Sequence, residues 1–563
     1  MFIQYFLQNA NKIHDTIVES NDWKKHELTV TIPEQSVMVA YGLWIVGNSE
    51  FLADDFEFLV NNGGKWEVAD TVNLGFENGK IDDSQADDWK TTRMQNCTFE
   101  VTDKDSHSGK YSLKLTYNFT GKIFARMPQF GEFIREPIGN NLTCVVPLTL
   151  LTNDTTTYPI TETSSLVRLK SEISNINFGS EFNPQVNLAS VVITWNVFQH
   201  FFPYFDVIET DWNKVLGETL KGTLENKRKK DFFVTLSKMI AQTEDGHGVV
   251  YGEQMYHLPI RTEFIENKIV ITASNDKTLK RGDIIKKING KPVMEALVDM
   301  EKMISGSPQL RRHRALNILG SKLDPSETHL TIERDGKEQG VTISNYYSGK
   351  NMFFNPIEER RYLSETIVEI EPGIYYINMT NYTDNDFDKK IDELANAKAV
   401  IYDQRGGGGL NFLHIIPYLI KDPVTSAWWN IPQTVYPNRK EVDFSKSNWS
   451  IQPKQPLFKS KTIIINVPAV VSSGETMMGI LDHYHLATTV GEPTAGCNGN
   501  VNFIYLPCGY SVMWTGMKVL KHDGSQLFKK GFQPDCPVNK TIQAIKEGRD
   551  EYMEKAMEIA KSK

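Results

Sequence analysis

The sequence predicts a multidomain protein that passes from a β-rich region through a helical one and a compact mixed unit to an α/β region. Three observations predict it. At 563 residues the chain exceeds a single core, since domains run to roughly 100–200 residues. The period of its apolar residues changes near positions 183, 253 and 360. The segment 360–563 holds short apolar runs spaced by helical stretches, as parallel βαβ units require.

Residues 1–165 read as a β-sandwich. HELTVTI, SVMVAYGLWIV and YSLKLTYNF mix apolar and polar positions and are separated by Gly, Asn and Asp clusters. LADDFEFLV and NLGFENG followed by HSGKYSLKL resemble the closing and opening strands of galactose-binding-like jelly rolls, so glycan contact is expected of this region and its N-terminus is expected to be incomplete. Residues 183–252 turn helical. In VVITWNVFQHFFPYF, Trp195, Phe198 and Phe202 recur at i, i+3 and i+7, the spacing of a core face. Residues 253–346 return to strands in IENKIVITAS, LKRGDIIKKINGKPV and THLTIERDGKEQGVTI, with Asn289-Gly290 as a tight turn. RGDIIKKINGKPV resembles a PDZ domain, which implies capture of an extended chain by strand addition. In 360–563, GIYYINMT, KAVIYDQR and KTIIINV are strand candidates, DFDKKIDELANA and GETMMGILDHYH are helical, and RDEYMEKAMEIA is a closing amphipathic helix.

Composition excludes several classes. A net charge of -9 without a basic stripe argues against nucleic acid as a partner. Five cysteines without CxxC spacing indicate neither a disulfide framework nor a zinc knuckle. There is no HExxH pair, and His483 and His485 point to different faces of a helix, so no metal is expected. No apolar run reaches the roughly 18–20 residues of a membrane span, and no signal peptide is visible in MFIQYFLQNANKIHD.

Three segments carry chemistry. In NVPAVVSSGETMMG an apolar strand ends in a short loop and enters a helix at Ser472-Ser473, beside unpaired helical N–H groups. The same serines are also favoured helix caps. In AVIYDQRGGGGLNF a strand is followed by four glycines, which turn N–H groups towards a ligand; the run lacks nucleotide-loop spacing. In AQTEDGHGVVYG, His247 stands between two glycines, exposing an imidazole suited to proton transfer near neutrality. Glu475 at the helix start is read mainly as a structural carboxylate. Cys497 is read as inert, since nothing basic adjoins it in sequence.

In this order over 183–563, TEDGHG, the RGDIIKKINGKPV unit, YDQRGGGG, VVSSGETMMG, TVGEPTAG and GFQPDCPV resemble the C-terminal processing, or tail-specific, serine protease family. The resemblance implies a helical cap over 183–252, a PDZ domain over 253–346 and an α/β crotonase-like core over 360–563. It implies a serine endopeptidase acting on extended or unstructured polypeptide, with no cofactor and with a periplasmic or extracellular location. Ser472 would be the nucleophile. The N–H groups of Ser473 and of Gly408 or Gly409 would form the oxyanion hole. The larger branch of the family has a lysine base where this chain has Cys497; the tricorn-core branch uses a histidine at the place of His247. That branch also has a serine before the histidine, where Gly246 stands, and a supporting glutamate, near whose place Phe528 stands. Asp245, Asp523 and Gln526 remain open as the group that holds His247. The alternative on the same residues is a peptide-binding protein that keeps the scaffold without catalysis.

Overall fold

The computed structural model describes residues 2–6, 10–14, 22–27, 29, 38–42, 49–62, 64–68, 76–77, 97–117, 127–153, 156–158, 163–174, 182–349, 366–406, 412–434, 436, 438 and 442–562. The chain divides into two compact units, Met1–Ala125 and Arg126–Lys563. Among its described residues the first holds three small sheets: strands Phe2–Phe6, Ala10–His14 and Met38–Gly42; strands Ser49–Ala53, Cys97–Thr102 and Ser112–Tyr117; and the hairpin Leu59–Asn62 with Lys65–Val68. A small core of Ala53, Phe76, Val101, Leu113 and Leu115 covers one face of the second sheet. HELTVTI lies largely outside the described residues.

The second unit opens with the hairpin Phe133–Gly139 and Leu142–Pro147 and a helix Thr163–Ser174; then come the helices that bear on the site, α1 (Pro184–Phe201), α2 (Trp212–Glu225) and α3 (Lys229–Ala241). Asn183 and Asp211 cap the first two by accepting N–H bonds in the opening turn. The aromatic stripe does face the core: Phe198 and Phe202 are fully buried, and Phe198 packs on Trp212 and on Trp514, ring centres 5.7 and 5.3 Å away. That packing anchors the strand Ser511–Thr515, which carries Trp514.

After α3 comes β1 (Val249–Tyr251), followed by an antiparallel sheet β2 (Ile260–Ile265), β3 (Lys268–Ser274), β4 (Ile284–Ile288), β5 (Thr328–Arg334) and β6 (Lys337–Ile343), in that spatial order. Helices α4 (Val293–Glu301) and α5 (Pro308–Asn317) lie between β4 and β5 in sequence. Thr262 on β2 donates to the carbonyl of Leu316 on α5 at 2.7 Å, fixing the helix beside the sheet edge.

The last segment builds a six-stranded sheet from β7 (Ile367–Glu371), β8 (Ile374–Asn378), β9 (Ala399–Asp403), β10 (Lys461–Asn466), β11 (Thr488–Gly491) and β14 (Cys536–Pro537). Only the β7–β8 pair is antiparallel. Strands β8, β9 and most of β10 are buried throughout, as a sheet covered on both faces demands. Helix α6 (Ser473–His483) follows β10, the hairpin β12 (Val501–Tyr505) and β13 (Ser511–Thr515) pairs with β1, and α7 (Glu551–Lys561) closes the chain against β10. DFDKKIDELANA, expected as one helix, forms two short helices, Asp384–Asp388 and Ile391–Ala395, separated at Lys389-Lys390, each burying one side chain, Phe387 and Leu394. Among the described residues no helix is long and apolar enough to cross a membrane.

Candidate active site

Ser472 sits between β10 and α6 in a conformation that few L-residues adopt, φ 54° and ψ -121°. Such a backbone costs of the order of 1–3 kcal/mol and persists only where its surroundings impose it. Here its N–H donates to the carbonyl of Cys497 at 2.8 Å and its carbonyl accepts from Thr476 N at 3.0 Å. In this conformation the Ser472 side chain makes no capping hydrogen bond to α6. The N–H of Ser473, the first helical residue, has no partner among the described residues. Gly408 and Gly409 lie outside them.

The loop 494–497 is held from both sides. Glu475, fully buried in the first turn of α6, accepts from Gly496 N at 2.7 Å, Cys497 N at 2.5 Å and the Thr494 hydroxyl. Burial pushes its carboxyl up to about 7 against the pull of those donors. A folded-state value above the ordinary one means that the stability this group confers is complete below about pH 4.5 and is lost as pH rises through 7. Glu475→Gln would aim an amide NH2 at a backbone N–H. The expected cost is about 1–3 kcal/mol, read as a lowered denaturation midpoint. From the other side, α5 reaches the same loop: Gln309 donates to the carbonyl of Thr494 at 3.0 Å and Ser307 to that of Ala495 at 2.5 Å.

His247 comes to this loop through strand register. Strand β1 pairs antiparallel with β13, Val249 opposite Met513, so two residues earlier His247 falls opposite Thr515. Its Nδ1 lies 2.8 Å from Thr515 Oγ1 and 3.1 Å from Cys497 Sγ. Thr515 Oγ1 in turn donates to Asp245 Oδ1 at 2.5 Å, and Thr515 N donates to Oδ2 at 2.6 Å. A hydroxyl has one hydrogen. Given to Asp245, it leaves the oxygen to accept from His247 Nδ1–H, which assigns the ring proton to Nδ1 and the lone pair to Nε2. Nε2 makes no hydrogen bond among the described residues, and none joins the ring to Ser472 Oγ. The two residues meet through Cys497, whose carbonyl holds one and whose thiol touches the other.

Burial lowers the His247 pKa, the Asp245 charge working against that and Arg314 with it. Arg314 donates to the carbonyl of Gly246 at 2.6 Å, bracing the histidine loop. With a lowered pKa the ring stays a neutral base further into acid, so the acid-side midpoint of kcat/KM is expected below pH about 6.5; a pH–rate profile checks this.

Of the three open supporting groups, Asp245 is fully buried and bonded in the cluster. Asp523 is exposed, its carboxylate accepting from Ser525 N at 2.9 Å, and Gln526 pairs by backbone with Leu520; neither bonds His247. Phe528 stacks on Tyr204, ring centres 4.0 Å apart, so the expected glutamate position belongs to the apolar core. Cys497 is buried and its thiol pKa is pushed well up by burial and by Asp245 and Glu475; the imidazole of His247, from 250 positions away in sequence, adjoins it through Nδ1.

Residues 373–538 match peptidase family S41. The chain carries a serine-type peptidase domain of family S41. That domain contains Ser472, Cys497 and Thr515, whereas Asp245 and His247 come from outside its span. Among solved structures, mature CPAF complexed with lactacystin aligns at 14% identity with TM-score 0.56, covering 67% of this chain and 98% of that one. Mature CPAF alone aligns at 15% with TM-score 0.54, covering 67% and 97%. A putative peptidase from Parabacteroides merdae aligns at 16% with TM-score 0.40, covering 68% and 98%. At such identities the likeness to CPAF is one of fold. Comparison with curated proteins returns no match.

Proposed function

We propose that the chain is a serine endopeptidase for extended polypeptide, in which Ser472 attacks and His247 Nε2 takes its proton. The observation that carries this reading is the Asp245–Thr515–His247 chain of hydrogen bonds, 2.5 and 2.8 Å, which frees the outer ring nitrogen for a base. The Ser473 N–H, without a partner among the described residues, and an N–H from Gly408 or Gly409 would receive the oxyanion. The acyl-enzyme would then be released by water activated at the same Nε2.

Residues 253–346 would deliver substrate as a PDZ-like unit, pairing an extended segment with the sheet beside β2 and α5. Support comes from α5 itself, which holds the 494–497 loop through Ser307 and Gln309 and the histidine loop through Arg314. The test is labelling with a fluorophosphonate followed by peptide mapping. Modification of Ser472 is expected; an intact, folded protein that stays unlabelled would instead be the peptide-binding scaffold.

A further inference from the structure

We propose that Asp245, His247 and Cys497 form a binding site for a zinc-type divalent cation that switches the peptidase off. A thiol sulfur, an imidazole nitrogen and a carboxylate oxygen converge here, all on buried residues and all within 4.8 Å of one another. Sγ lies 3.1 Å from Nδ1 and 3.5 Å from Oδ1. Zinc bonds of about 2.3 Å to sulfur and about 2.0–2.1 Å to nitrogen or oxygen set neighbouring tetrahedral ligands roughly 3.3–3.6 Å apart, so small shifts would admit an ion. Thr515 Oγ1, 2.8 Å from Nδ1 and 3.8 Å from Sγ, is placed as a fourth neighbour.

The donor set selects the metal. A thiolate with imidazole suits zinc and not magnesium or calcium, which take oxygen ligands. On binding, the Cys497 thiol releases one proton to solvent, and thiolate plus Asp245 carboxylate balance the two positive charges. Arg314, the nearby buried guanidinium, opposes a cation, which makes the thiolate necessary to occupancy. A cation on Nδ1 also moves the ring proton to Nε2, removing the lone pair that the proposed base uses. This consequence rests on His247 as the base; the binding itself does not.

Titration of full-length Ser472→Ala protein with Co2+ separates the two. A thiolate-to-cobalt charge-transfer band is expected to saturate at one equivalent, to vanish on adding Zn2+, to be absent when Cys497→Ala is added, and to survive Cys508→Ser. Asp245→Asn, checked for folding by circular dichroism, is expected to weaken Co2+ binding at least tenfold. In the unmutated enzyme, Zn2+ is expected to reduce casein cleavage at least tenfold, reversibly with EDTA, and Cys497→Ala to require about 100-fold more. No cobalt–thiolate band, or a band that persists without Cys497, would overturn the site. Failure of the enzyme to cleave any polypeptide would overturn the proposed function and leave the cobalt result to decide the site alone.

Discussion

Ser472→Ala is expected to reduce kcat/KM for an unstructured polypeptide by about six orders of magnitude, and His247→Ala by a similar factor, with the double variant little worse than either. Nucleophile and base act as one unit: without the base the hydroxyl is not ionised, and without the hydroxyl the base has nothing to activate. Removing either from a serine peptidase costs about as much as removing both, near 10⁶ in kcat. Ser472 is half-buried, so its truncation opens no cavity of consequence; His247 is buried, so His247→Ala is also expected to lower stability, and its rate is read on protein shown to be folded. Stability separates the roles further. At φ 54° a glycine carries none of the strain that serine does, so Ser472→Gly is expected to raise the melting temperature while abolishing cleavage. A residual rate in Ser472→Ala within tenfold of the parent would remove Ser472 from the reaction.

What was legible in the sequence follows from range. Ser472 announces itself locally, because an apolar strand, a short loop and a helix start are written consecutively around it. His247 stands out through its flanking glycines. The strands at 374–378, 399–403 and 461–466 are apolar throughout, and burial on both faces of a parallel sheet leaves that signature. Thr515 carries no such mark. In SVMWTG it reads as an ordinary strand threonine, and only the antiparallel register of β13 with β1, across more than 260 positions, brings its hydroxyl to the imidazole. Asp523 and Gln526 drew attention by closeness in sequence to the terminal GFQPD segment, but that stretch turns Phe528 into the core and leaves Asp523 in solvent. Around Cys497 the sequence shows no imidazole for the same reason in reverse, His247 being remote in sequence and adjacent in space.

Thr515→Val, which keeps the branched shape and deletes the hydroxyl, is expected to lower kcat by about 10²–10⁴ with little change in KM. Without Oγ1, only the weaker Cys497 thiol links Asp245 to Nδ1, and the ring divides its time between tautomers; in a related triad, loss of the aspartate's orienting role costs about 10⁴. The hydrogen bonds fix which control matters. Thr515→Ser retains the oxygen that accepts from Nδ1 and donates to Asp245, so it is expected to recover activity to within about tenfold of the parent. Asp245→Asn is expected to behave like Thr515→Val but to cost more stability, since its two oxygens also accept from the backbone N–H groups of His247 and Thr515 at 3.0 and 2.6 Å. The readout that separates positioning from mere packing is the acid limb of the pH–rate profile. Removing Oγ1 deletes the acceptor that supports Nδ1–H in the imidazolium, so the limb should move further to acid in Thr515→Val and return in Thr515→Ser. A rate loss in Thr515→Val with an unmoved limb and no recovery in Thr515→Ser would make Thr515 a packing residue of β13 and leave the orientation of His247 to the Cys497 thiol.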